Sequence, residues 1–351
     1  MTALRLVAAT VALWLSAGCS GSNEPGPMQP SRTLAIPWNA HALTGHGDVL
    51  AFEYTDTSNA GSFSGFRSTL QVYRRDMAPP HDLLDLGTVY LGVDTLYHRL
   101  SDLVLTEDWA IATLNFNDGA SGWVAVVSLV GPTPALVATL ALTPTLDHAV
   151  ASGRWLLVSA GNEISLIDLE AVSFPIVKVF DIGTLATCLV PVSGGFLVFT
   201  NAGYGRVVAD PVAPTYAPTA DAALRAFRKA HVYGTRAHVA GPSPFAGKTR
   251  VARIDVGNPD APSVEASVDV DGSLGLFAYD GAGTYVLSFP TWLMWERTPA
   301  RTVWIADGAG LSVAGERSVA GLMPSDVDNL HLRGGTMYAL TPGGIGLYAP
   351  P

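Results

Sequence analysis

The stretch LDHAVASGRWLLVSAGNEISLIDLEAVSFPIVKVFDIGTL, residues 146–185, carries four short apolar runs separated by turn residues. Apolar and polar residues alternate in HAVAS, EISLID and IVKVFD, while WLLVSA is apolar almost throughout, and Gly153, Gly161, Asn162 and Pro175 punctuate the runs. Alternation over so few residues, with no helical period, dictates β-strands. Joined by tight turns, the four runs make one antiparallel sheet.

The second run of this unit recurs along the chain as DVLAFEY (from Asp48), DWAIATL (Asp108), RWLLVSA (Arg154), GFLVFTN (Gly195), TRAHVAG (Thr235), TYVLSFP (Thr284) and TMYALTP (Thr336). Most intervals are about 40 to 50 residues, the period of one four-stranded propeller blade per unit. The first is longer because of a Gly/Ser-rich insert, TSNAGSFSGFRS, from Thr57. The third run recurs as TLQVYRRD, WVAVVSL, EISLIDL, TRVARIDV and RTVWIAD, and several copies are followed by a proline-bearing turn and a fourth run, as in LVGPTPALVATLAL and VGNPDAPSVEASVDVDG. Helical periodicity is almost absent; PTADAALRAFRK, residues 218–229, reads as one or two helical turns or as the lead into a blade's first strand.

An apolar strand, an Ala/Val-rich strand, a strand ending in Asp and an Asn-Pro turn together resemble the LVIVD-repeat family of bacterial surface β-propellers. Residues 146–185 and 230–274 carry the resemblance best, whereas in 186–224 the third strand, GRVVADP, departs from the pattern. The expected fold is an all-β propeller over residues 33–351. Seven second strands imply seven four-stranded blades, with six or eight as alternatives. The last unit supplies three strands before the chain ends, and SRTLAIPW, from Ser31, is left over at the other terminus. The expectation is that this strand completes the last blade from outside, hiding sheet edges that would otherwise aggregate.

The N-terminus sets the compartment. Arg5, an apolar run from Leu6 to Leu15 and small residues before Cys19 make a secretory signal over residues 1–18. The apolar run is far shorter than the roughly 20 residues that span a bilayer. Leu15-Ser16-Ala17-Gly18-Cys19 resembles a bacterial lipobox, which implies a lipid on Cys19 and anchoring to the envelope. Ser20, where an aspartate marks inner-membrane retention, points to the outer membrane. Residues 19–32, polar and rich in Gly and Pro, read as a flexible tether.

The net charge is -10 and only three lysines occur, so the basic footprint that nucleic acid requires is missing. With Cys19 acylated, Cys188 has no partner for an intrachain disulfide and reads as a buried small hydrophobe. Eight histidines are scattered without the HxH or HExxH spacing of a zinc site; His41 and His46 flank a turn. Asp269 and Asp271, before Gly272 and Ser273, resemble the start of a calcium loop but lack the later bidentate glutamate, and a turn between blades explains them as well. Asp326 and Asp328 occupy a comparable junction. FPTWLMWERTPARTVW places Trp292, Met294, Trp295 and Trp304 between two strands of the sixth unit: Trp292 and Trp295 are the candidate docking residues for protein or glycan, against simple packing.

No GxSxG, P-loop or dinucleotide fingerprint occurs, so no catalytic residue and no cofactor is assigned. The expected function is a non-catalytic binding or scaffold module acting through a propeller face. The alternative is a hydrolase or lyase of extracellular polymer, its residues gathered in the channel from several blades.

Overall fold

The computed structural model describes residues 28–36, 40–57, 67–75, 83–94, 98–117, 119–281, 283–289, 300–319, 322, 330–333, 335–341 and 343–349. A three-residue strand, β1 (Arg32–Leu34), precedes the first sheet, which comprises β2 (Ala40–His46), β3 (Val49–Asp56), β4 (Arg67–Arg75) and β5 (Leu83–Asp94). The second holds β6 (His98–Leu105), β7 (Trp109–Phe116), β8 (Gly122–Ser128) and β9 (Ala135–Leu142). The third holds β10 (His148–Ser152), β11 (Trp155–Ala160), β12 (Glu163–Asp168) and β13 (Ile176–Asp181). The fourth holds β14 (Ala186–Val192), β15 (Gly195–Thr200), β16 (Gly203–Val208) and β17 (Thr215–Ala220). The fifth holds β18 (Lys229–Tyr233), β19 (Arg236–Pro242), β20 (Lys248–Asp255) and β21 (Ser263–Asp271). The sixth holds β22 (Leu276–Tyr279), β23 (Thr284–Phe289), β24 (Ala300–Asp307) and β25 (Leu311–Val319). The last holds β26 (Leu330–Arg333), β27 (Thr336–Thr341) and β28 (Gly344–Tyr348), with β1 paired antiparallel outside β28.

The described strands thus form seven four-stranded antiparallel sheets, and the architecture is an all-β propeller. The first strand of each sheet is innermost: β2 neighbours β6, β6 neighbours β10, and the series continues through β14, β18 and β22 to β26, which neighbours β2. The sheet faces are what the alternating pattern supplies. Apolar side chains leave both faces of the inner three strands, so each sheet packs against the one before and the one after. One apolar cluster sits at each junction, as where Leu70, Val72 and Leu91 of the first sheet meet Leu103, Ala112 and Val127 of the second. At the far side Leu43, Leu50 and Phe52 of the first sheet meet Tyr338, Leu340 and Ile345 of the last. The fourth strands alternate with one face wet, as in β13, where Ile176 and Val179 are exposed.

Of the two readings of PTADAALRAFRK the second holds: its first residues end β17, and 221–228 is a connection, its Leu224 and Phe227 buried, that leads into β18 at Lys229. Its periodicity reflects two anchor residues, not a helix. GRVVADP, which departs from the repeat pattern, nevertheless contributes to a complete β16, because Gly205 leaves room for the Tyr216 ring from β17. The docked chain also begins inside the stretch read as tether: the Met28 amide donates to the Ser318 carbonyl at 2.7 Å, and Ser31 donates to Leu347 O at 2.8 Å. The signal sequence and Cys19 lie outside the described residues.

Gly344 shows how closely β1 approaches. Its φ is +129°, and a Cβ there would overlap the Leu34 carbonyl oxygen. Gly344→Ala is therefore expected to displace β1 and lower stability by about 2 kcal/mol, since a side chain is placed both in a left-handed conformation and against backbone. A urea unfolding curve checks the loss, and faster proteolysis near residue 32 localises it.

Candidate functional site

The inner strands surround a channel of about 420 Å³ lined from β2, β6, β10, β14, β18 and β26. Strand β18 runs along it, so Lys229 lies at the mouth where the inner strands begin and Tyr233 at the mouth where they end. At the first mouth stand Asp102, His148, Cys188, Arg228 and Lys229; His231 lies midway; His46, Tyr233 and Arg333 line the second.

Asp102 is the single carboxylate among the described lining residues. Its Oδ1 accepts the Leu103 amide at 2.9 Å and its Oδ2 the Ala149 amide at 3.0 Å, which ties β6 to β10. His231 Nε2 lies 3.3 Å from the Phe277 carbonyl on β22, and the Tyr233 hydroxyl donates to the Tyr279 carbonyl at 3.3 Å. At the second mouth Arg333 faces Asp48 at 3.5 Å. Burial lowers the His46 pKa; Glu107 opposes that shift and Arg333 adds to it. Burial raises the Tyr233 hydroxyl, with Arg333 working against the rise and Asp280 with it. The described lining is thus cationic and neutral donors with one carboxylate engaged by backbone, while Asp48, Glu107 and Asp280 lie beside the second mouth.

A second polar cluster lies away from the channel, in the seam between the fifth and sixth sheets. Arg253 on β20 pairs with Asp307 at the end of β24 and donates to Glu265 at 2.7 Å. The Tyr279 hydroxyl donates to Asp307 at 3.2 Å, and the Tyr279 ring stacks on His238 with centroids 3.7 Å apart. Burial holds His238 down to about 4, although Asp307 pulls the other way. Arg253, Asp307 and His238 are 12% exposed or less where they meet, with Glu265 at the rim, so the cluster fastens two sheets.

The residues singled out in the sequence fare differently. Trp292, Trp295, Asp326, Asp328 and Cys19 lie outside the described residues. Trp304 is core, packed with Leu276, Leu330 and Tyr348. Asp269 and Asp271 belong to β21, not to a loop, and pair across the strand with Arg250 at 3.3 Å and Lys248 at 3.0 Å. Their alternate spacing puts both on one strand face beside two cations, which explains the string without calcium; no group of three potential metal ligands occurs among the described residues. His41 and His46 are not brought together: His41 Nε2 meets Thr55 Oγ1 at 3.1 Å, while His46 lies at the channel. Cys188 is buried, as expected. Arg228, Lys229, His148 and His231, which form the channel wall, had no local motif to mark them.

No family model matches the chain, and no curated protein matches its sequence. Its fold is similar to solved propellers. The β-propeller domain of Myceliophteria thermophila Cps50 (Swd1) superposes with a TM-score of 0.63 at 11% identity, over 93% of this chain and 100% of that one. A candidate 6-phosphogluconolactonase of Bacteroides uniformis gives 0.61 at 16% identity, over 87% and 93% of the two chains. Kluyvelomyces marxianus Hsv2 gives 0.52 at 8% identity, over 84% and 86%. At such identities the likeness is one of fold: this chain is similar to β-propellers in architecture.

Proposed function

We propose that this chain is an envelope-anchored binding propeller. A lipid on Cys19 holds it to the outer membrane, and a ring of seven blades of the LVIVD-repeat kind, clasped by β1, presents its channel and face to a protein or glycan. The observation that carries the binding reading is the channel. Its volume, about 420 Å³, falls in the range of ligand pockets. Its wall offers hydrogen-bond donors, and both oxygens of its one described carboxylate accept backbone amides. A carboxylate so held supports the wall; a general base would need a free oxygen within reach of substrate.

Two measurements test this. Cys19→Ser is expected to abolish palmitate incorporation and move the full chain from the membrane pellet to the soluble fraction; an unchanged pellet removes the anchor. The full chain is then heated with neutral oligosaccharides and with oligogalacturonates. A ligand near one hundred times its Kd adds about 2.7 kcal/mol, a rise of a few degrees in Tm. Stabilisation without new reducing ends or unsaturated product supports a binding module. Product formation would assign the chain to the hydrolases or lyases.

A further inference from the structure

The chain is acidic overall, yet residues 222–254 contain no Asp or Glu and hold seven of its 20 Lys and Arg residues. Four of the seven are engaged with neighbouring strands. Arg236 meets Glu265 at 3.0 Å, Lys248 meets Asp271 at 3.0 Å, Arg250 meets Asp269 at 3.3 Å, and Arg253 meets Glu265 and Asp307. Arg225 and Arg228 are exposed and have no carboxylate partner among the described residues.

Both belong to the connection 221–228, and this connection is held rigidly. Leu224 and Phe227 are 1% and 2% exposed, and the Phe227 ring meets Phe199 edge-on at 5.4 Å. Between them the Ala226 amide donates to the Thr200 carbonyl at 2.8 Å. Ala226 has φ 60°, a left-handed conformation that a residue with a side chain keeps only where its surroundings over-determine it. Gly241 permits it, for a Cβ there would come within 2.6 Å of the Ala226 carbonyl oxygen. With Leu224 and Phe227 turned in, Arg225 and Arg228 are turned out: Arg228 lines the channel mouth, and Arg225 lines a second hollow of about 180 Å³ together with Arg250.

We infer that Arg225 and Arg228 recognise an oxyanion, the carboxylate or phosphate of a small ligand whose body enters the channel mouth. Strain and burial spent on presenting two guanidinium groups to solvent, in an acidic protein, have a use if an anion docks there. Guanidinium forks match carboxylate and phosphate oxygens in pairs. Lys229, His148 and His231 line the same wall and add donors behind them. The inference rests on the reading of the channel as a binding site and names the chemistry that site selects.

The test is calorimetric titration of the full chain with galacturonate, inorganic phosphate and neutral galactose, at low and high salt. Galacturonate or phosphate is expected to bind, with affinity falling as salt rises, and galactose is not. Arg228→Gln should weaken binding at least tenfold and the Arg225→Gln/Arg228→Gln pair should abolish it, with an unchanged unfolding midpoint because both side chains are exposed. Binding of galacturonate alone identifies a carboxylate, and of phosphate alone a phosphate ester. Affinity equal in the double variant, or no binding by either anion, overturns the inference. If a neutral oligosaccharide then still stabilises the chain, the channel reading survives without it; if none does, both fall.

Discussion

Asp307→Ala is expected to destabilise the chain by about 3–5 kcal/mol, more than any other substitution considered, because it leaves a buried cation without its main partner. Asp307 is 7% exposed and Arg253, which pairs with it, 12%. The same carboxylate accepts the Tyr279 hydroxyl at 3.2 Å and lies 3.8 Å from His238 Nδ1. Alanine would strand the guanidinium with Glu265 and the Gly308 carbonyl alone, and would leave the tyrosine hydroxyl without that acceptor. The groups come from β19, β20, β22 and β24, so the damage falls on the seam between two sheets rather than within one. A lowered urea midpoint with unchanged slope is the expected reading. Asp307→Leu combined with Arg253→Met should recover most of the loss, since replacing both members of a buried pair by apolar groups removes the desolvation cost together with the attraction. A double variant no better than the single one would show that the pair acts through something other than its charge.

The sheets were legible because each hairpin announces itself locally: alternation within a strand, Gly or Asn at the turn, and a constant interval to the next copy. Side chains on the channel wall were not, because each sheet contributes one short stretch of its innermost strand and the stretches are separated by a whole repeat. The histidines show this well. Six of the eight fall on innermost strands: His41 and His46 on β2, His98 on β6, His148 on β10, His231 on β18 and His331 on β26. Metal-ligand spacing compares neighbours a few residues apart; stacking the repeats in register would have placed these strands at the centre, where His46, His148 and His231 line the channel. Asp269 and Asp271 fail in the opposite direction. Two carboxylates separated by one residue describe a calcium loop and also one face of a strand, and only the cations on β20 decide between them. The arginines at the channel mouth were hidden by the anchors beside them, since buried Leu224 and Phe227, three residues apart, imitate the spacing of a helix face.

Glu53→Gln should stabilise the chain at pH 8 by on the order of 3 kcal/mol and leave it unchanged at pH 4. Glu53 is 2% exposed on β3, between Ala42 and Leu70 across the strands; one oxygen accepts the Ser68 hydroxyl at 2.7 Å and the other has no hydrogen-bond partner among the described residues. Burial raises its pKa from 4.5 to about 7, with Ser68 opposing the rise. A raised carboxyl pKa means that the native state keeps a proton the unfolded chain releases. Its stabilising share is complete below about 4.5 and is lost as pH climbs to about 7. His238 runs the other way. Its pKa falls from 6.5 to about 4, so the unfolded chain takes up a proton that the native state refuses, and stability is lost as pH drops through that interval. The two windows overlap with opposite slopes, and between about pH 4.5 and 6.5 they offset each other. The glutamine variant removes one slope and exposes the other: its urea midpoint should climb steadily from pH 4 to about 6.5 and then level off, where the parent chain stays nearly flat and then weakens toward pH 7. A variant whose profile merely parallels the parent at every pH would mean that Glu53 is already ionised in the folded protein, with its second oxygen solvated despite its burial.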